Sequence, residues 1–110
     1  MRLFGRRRDE TEAGEPRPGA ATRRATEEYL AEFVRTRVGV EAYIEPATRV
    51  TQTTVVLIAT TGEWTRRKVP DPRTARQIAR DLSIPVYDVQ LTGYPQRMRD
   101  WTSRQTRAGR

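Results

Sequence analysis

Cysteine and histidine are both missing from the 110 residues, and lysine occurs once, as Lys68, beside twenty arginines. Without cysteine there is no disulfide framework, no thiol nucleophile and no thiolate metal ligand, so nothing marks the chain for an oxidising compartment, and it reads as cytoplasmic. Without histidine the side chain that titrates nearest neutrality is gone, and with it the commonest general acid or base and the commonest metal ligand. Long apolar runs are missing as well. The longest, Val55 to Ala59, falls far short of the roughly 20 residues that span a bilayer and suits a buried strand. Met1-Arg-Leu-Phe-Gly-Arg-Arg-Arg8 has the positive start of a signal peptide without its apolar stretch. There is no G-x-G-x-x-G, no G-x-x-x-x-G-K-[ST], and no serine or threonine with a partner base. No spacing demands a metal or a carboxylate dyad, and the chain reads as a non-enzyme with no cofactor.

What is present is charge, at 32% of residues, beside a hydrophobic fraction of 35% that allows one modest core. The formal surplus of +7 is local. Residues 46–69 hold three Arg and Lys68 against Glu63, and residues 92–110 hold five Arg against Asp100, whereas the rest of the chain is close to balanced. Arginine grips phosphate or carboxylate with a planar fork and stacks on rings, which suits anionic partners. A G+C-rich genome would also favour arginine codons, so the placement of charge carries more than its amount.

Residues 1–21 mix Gly, Pro, Arg and acids around Leu3 and Phe4 and read as a disordered arm. From Thr22 the spacing of Leu30, Phe33, Val34 and Val38 marks one face of a helix, stopped by Gly39. Val40, Ala42 and Ile44 alternate with Glu41, Tyr43 and Glu45 as a strand, ended by Pro46. A second strand spans about Arg49 to Thr60, and its apolar centre occupies both faces, which predicts a central position. Thr61-Gly62 turns the chain into a third strand, Glu63 to Val69. Asp71 as cap and Pro72 as first residue start a helix that buries Ala75, Ile78, Ala79 and Leu82, broken by Ser83-Ile-Pro85. Val86 to Leu91 is a fourth strand, and a helical crossover favours a parallel connection into it. Pro95 opens a short final helix on which Met98 and Trp101 dock, and Thr102 to Arg110 is expected to fray as a basic tail. The prediction is one α+β domain over residues 22–101, in the order α-β-β-β-α-β with a short C-terminal helix, around a mixed, mainly antiparallel sheet.

Side chains alternate along a strand, so Trp64, Arg66 and Lys68 share a face of the third strand and Arg67 faces the other way. Arg73, Arg76 and Arg80 form a stripe on the next helix, away from its apolar face. If strand and helix ends lie close, these residues form a positive surface with one aromatic, able to neutralise phosphates and stack a base. The plainer arrangement puts Trp64 in the core and leaves the arginines as a solvated face partly paired with Asp81. Gly93-Tyr-Pro-Gln-Arg-Met-Arg-Asp-Trp101 combines two aromatics with Arg97 and Arg99. It reads either as a recognition element or as a staple in which Tyr94, Met98 and Trp101 tie the C-terminus to the sheet. Among the acids, Asp71 reads as a cap, and Glu41, Glu45 and Asp88 as strand surface.

The stretches Val40-Glu-Ala-Tyr-Ile-Glu-Pro46, Thr53-Thr-Val-Val-Leu-Ile58, Gly62-Glu-Trp-Thr-Arg-Arg67, Ile84-Pro-Val-Tyr-Asp88 and Gly93 to Trp101 resemble a small uncharacterised actinobacterial family. Its members sometimes carry an oxidoreductase label. The resemblance spans over half the chain and implies no known mechanism. Residues 22–83 are also similar in element order to a double-stranded-RNA-binding domain, in which basic residues at the start of the last helix meet phosphates. Arg73 and Arg76 match that position in type, while the usual lysine pair is replaced and a fourth strand is added.

The function expected from these observations is binding of an anionic macromolecule, RNA or a ribonucleoprotein surface, with Arg66, Lys68, Arg73, Arg76, Arg80, Arg97 and Arg99 on phosphates and Trp64 or Tyr94 stacking. The alternative is a protein-interaction adaptor that docks on an acidic protein surface, or on a second copy as a homodimer, through the Tyr94 to Trp101 segment or a free sheet edge.

Overall fold

The apolar run from Val55 to Ala59 requires cover on two sides, and the fold supplies it. The computed structural model describes residues 18–108, with side chains from residue 23 onward. Helix α1 (Pro18–Thr36) leads into β1 (Glu41–Glu45), β2 (Thr54–Ile58) and β3 (Trp64–Lys68). Helix α2 (Pro72–Asp81), β4 (Val86–Asp88), the single turn α3 (Val89–Thr92) and α4 (Gln96–Ala108) complete the chain. The sheet order is β3-β2-β1-β4. β2 pairs antiparallel with β1 and β3, whereas β4 lies parallel to β1, as a helical crossover from β3 demands.

On one face Ala42 and Ile44 of β1 and Val55 and Leu57 of β2 meet Leu30 and Phe33 of α1 and Ala75, Ile78 and Ala79 of α2. On the other face Tyr43, Val56 and Ile58 meet Met98 of α4, with Trp64 and Tyr94 packed at the margin. Burying apolar side chains on both faces of a central strand needs a layer on each side, and these are the two layers. Asp71 accepts from the Thr74 amide at 2.7 Å and Pro72 is the first residue of α2, as its sequence predicts. The α+β class and element order agree with the sequence reading.

Five boundaries differ from it. The helix α1 begins at Pro18, so residues 18–21 of the expected arm are helical, while residues 1–17 lie outside the described residues. It ends at Thr36, whose hydroxyl donates to the Glu32 carbonyl at 2.8 Å, and Val38, expected on the buried helix face, is 78% exposed. The second strand is shorter than Arg49 to Thr60, because Thr48 holds a tight turn, accepting through its hydroxyl from the Val50 and Thr51 amides at 3.2 and 3.0 Å. β4 stops at Asp88, which caps α3 by accepting from the Gln90 amide at 2.8 Å, so Leu91 leaves the sheet and is exposed. The tail expected to fray from Thr102 is helical through Ala108. Among the described residues no helix is long and apolar enough to cross a membrane.

Candidate functional site

The sheet face beneath α4 brings two of the predicted cations, Arg66 and Arg97, onto two glutamates, with the predicted ring Tyr94 on one of them and Trp64 beside Arg66. Glu45 receives both ends of the Arg66 guanidinium, Nε at 2.7 Å and Nη2 at 2.8 Å, and also accepts from the hydroxyls of Thr54 and Tyr94. Burial works to raise its pKa. The hydrogen bonds from Arg66, Thr54 and Tyr94 and the Arg66 charge outweigh that and hold the carboxyl at about 2. The Tyr94 hydroxyl is pushed the other way, upward, by burial and by the carboxylate it serves. Glu41 is occupied in the same manner: Arg97 donates to it at 2.6 Å and Tyr43 at 3.1 Å, while Arg97 Nε donates to the Ala59 carbonyl at 3.0 Å. Each carboxylate on this face is therefore matched to an arginine and a tyrosine, and neither stands as a free acid or base.

A different arrangement occupies the end of the sheet where β1 leaves and β2 enters. Thr54 is opposite Lys68, so the β1–β2 loop and the β3–α2 connection emerge together. They are tied by Val69 N to Thr53 O at 2.9 Å and by Gln52 Nε2 to Val69 O at 2.9 Å. The turn around Thr48 presents Arg49 and Val50 to solvent. Lys68, Arg73 and Arg76 are exposed and form no ion pair among the described residues. Arg80 continues the α2 stripe one turn on and, among the described residues, donates to Gln77 at 3.3 Å and forms no ion pair. Along the outer edge of β3 an open groove of about 500 Å³ is lined by Thr26, Thr54, Arg66, Arg67 and Lys68. Asp71 lies in this region, its carboxyl held below the usual range by the Thr74 amide and, more weakly, by Arg73 and Arg23.

Compared with protein-family models, with curated proteins and with solved structures, the chain matches none. The reading of this surface rests on its own geometry.

The predicted residues divide into two groups. Trp64, Arg66 and Lys68 do share a face with Arg67 opposite, but that face is the α4 side of the sheet, whereas Arg73, Arg76 and Arg80 ride on α2 on the other side. Arg66 and Arg97 are committed to Glu45 and Glu41. Trp64 is half-buried. Its indole N–H donates to Thr102 at 3.0 Å and the Arg66 guanidinium lies 5.0 Å from its ring. Tyr94 is half-buried with its hydroxyl on Glu45, and Arg99 donates to the Tyr94 carbonyl at 3.0 Å and to Gln96 at 2.6 Å. The Tyr94 to Trp101 segment is thus the staple, with Met98 buried and Trp101 half-buried against the domain. Two cations were missed by sequence reasoning. Arg49 sat inside an expected strand, and its position in a Thr-x-x-Thr turn was the available signal. Arg67 was set aside as facing away, and it lies over the exposed Tyr29 ring at 3.6 Å.

Proposed function

We propose that the chain is a non-enzymatic module that binds an anionic macromolecule, RNA in the first place, through the end of the domain where the β1–β2 loop, the close of β3 and the start of α2 meet. The observation that carries this reading is the contrast in pairing. Arg66 and Arg97 beneath α4 are neutralised by glutamates of the same domain, while Arg73 and Arg76 on α2, and Lys68 at the close of β3 on the other side of the sheet, are exposed and form no ion pair among the described residues. An unpaired guanidinium on a rigid helix is desolvated at little cost by a phosphate and grips it with two parallel donors. Arg73, Arg76 and Arg80 follow one another at helical spacing, so successive phosphates along a strand meet a pre-formed row rather than a flexible tail. Arg49 adds an exposed cation on the β1–β2 loop at the same end of the domain. In this reading the contacts are to the phosphate backbone, with little discrimination among bases.

The test compares two double charge reversals that change net charge equally. Arg73→Glu with Arg76→Glu removes the row, and Arg104→Glu with Arg107→Glu removes two cations at the far end of α4. Fluorescence anisotropy with labelled RNA at about 50 mM salt is expected to show at least about a tenfold loss for the first pair and a much smaller loss for the second. Equal losses would reduce the attraction to overall charge and sink the site. Wild-type protein that binds no RNA would sink the reading itself.

A further inference from the structure

The outer edge of β3 carries a separate feature that binding of phosphates does not use. Ala59 N donates to Glu63 O at 2.8 Å and Val69 N to Thr53 O at 2.9 Å, which fixes Thr65 and Arg67 as the residues whose backbone groups face β2. The N–H and C=O groups of Trp64, Arg66 and Lys68 therefore point outward, where β3 has no neighbouring strand among the described residues. The Arg66 carbonyl accepts from Arg67 Nη1 at 3.1 Å. Around this edge the side chains of Arg66, Arg67 and Lys68 are all exposed, two on the α4 face and one on the α1 face.

We propose that this edge receives an extended acidic peptide of another protein as a fifth strand of the sheet. The outward groups alternate donor and acceptor, which complements another strand, whereas a phosphate chain offers acceptors alone. With Arg66 already held by Glu45, Lys68 on the α4 face and Arg67 on the α1 face select a strand with acids at successive positions, since residues opposite one another on either face then attract. A second copy of the chain is the wrong occupant: pairing β3 with β3 brings like charges together, Arg66 against Arg66 or against Lys68. The inference is independent of the α2 row and stands whether or not RNA binds there.

The experiment titrates the ¹⁵N-labelled full chain with an eight-residue peptide of alternating Glu and Val. Amide shifts are expected to concentrate on Trp64 to Lys68. Lys68→Ala keeps the outward N–H and loses one charge, so affinity falls about threefold, an order-of-magnitude expectation for one exposed pair. Lys68→Pro also loses the N–H, which the β2 ladder does not use, and affinity falls about tenfold or more. The same peptide N-methylated at alternate positions leaves the protein untouched and is expected not to bind, which holds the test open if Lys68→Pro fails to fold. Arg73→Glu with Arg76→Glu is expected to lower peptide affinity no more than Arg104→Glu with Arg107→Glu does, the shared loss being that of overall charge. Equal binding of the methylated peptide, shifts centred on α2, or no binding at millimolar peptide would each overturn the proposal.

Discussion

At the turn between β2 and β3 a single missing Cβ sets how closely the chain can approach α4. Gly62 has φ +95°, and a Cβ there would sit 2.0 Å from the Arg97 carbonyl oxygen and 2.9 Å from Trp101 Cβ. The obstruction is backbone, so α4 as a whole would have to move. Gly62→Ala is expected to cost about 3 kcal/mol, overpacking added to left-handed strain. Gly93 also has a positive φ, +70° with ψ 179°, a region essentially confined to glycine, but it has nothing within 4 Å of its Cβ position, so Gly93→Ala is expected to cost about 2 kcal/mol, strain without a close approach. Chemical denaturation midpoints of the two variants separate the close approach from the strain. Glu45 offers a second residue-scale outcome. Its folded pKa of about 2 lies below the ordinary 4.5, so the stability it confers is fully present above about pH 4.5 and is lost as pH falls toward 2. With Arg66 partly exposed and screened, Glu45→Gln is expected to cost about 1–2 kcal/mol at pH 7, and the gap from wild type should close between pH 4.5 and 2 in acid denaturation curves. A gap that stays constant through that window would remove the carboxylate from the account.

Among the elements, α4 carries the burden that its sequence least advertises. Met98 is its one described residue that is fully buried, lying against Tyr43, Val56 and Ile58. Met98→Ala is expected to cost about 2–3 kcal/mol and to raise dye binding to exposed apolar surface, while Met98→Leu costs under about 1.5 kcal/mol. Similar losses for both would show that the contact depends on sulfur or shape rather than on buried volume. The elements legible in the sequence were those whose signals are local. The Asp71-Pro72 start of α2, the Gly62 turn and the two-faced apolar run of β2 each follow from a few adjacent residues. The boundaries that sequence misplaced depend on competition between neighbours. Asp88 continues a strand by its pattern, yet its carboxylate captures the Gln90 amide and starts α3. The final helix extends past Trp101 because Gln96 with Asp100 and Arg99 with Gln96 tie its first turns, Arg104 anchors it to the Thr61 carbonyl at 3.2 Å, and no Gly or Pro interrupts it before Gly109. The site was half legible for the same reason. Alternation alone places Trp64, Arg66 and Lys68 on one face. That Glu45 lies within reach of Arg66 depends on the register Glu45–Thr54–Lys68 across three strands, which no local pattern encodes.

For the molecule as a whole, a net charge of +7 guarantees some attraction to any polyanion, so affinity alone cannot distinguish a site from a charged object. Salt dependence can. Each phosphate neutralised on binding releases condensed counterions, and the slope of log K against log salt counts those contacts at about 0.7 per contact for a single strand and about 0.9 for a duplex. Arg23, Arg35, Arg37, Arg66 and Arg97 each face a glutamate of their own domain, so engaging a phosphate requires them to give up a partner already in place. Among the described cations without an ion pair, the proposed site comprises Lys68, Arg73 and Arg76, with Arg49 and Arg80 at its margins, and Arg24, Arg67, Arg99, Arg104 and Arg107 fall outside it. Three to five contacts predict a slope of about −2 to −4 between 50 and 200 mM salt. Arg73→Glu with Arg76→Glu should flatten it by roughly 1 to 2, and Arg104→Glu with Arg107→Glu should lower affinity while leaving the slope almost unchanged. The reasoning fails if the two variants flatten the slope equally, because the contacts would then be spread over the surface rather than gathered where β3 passes into α2.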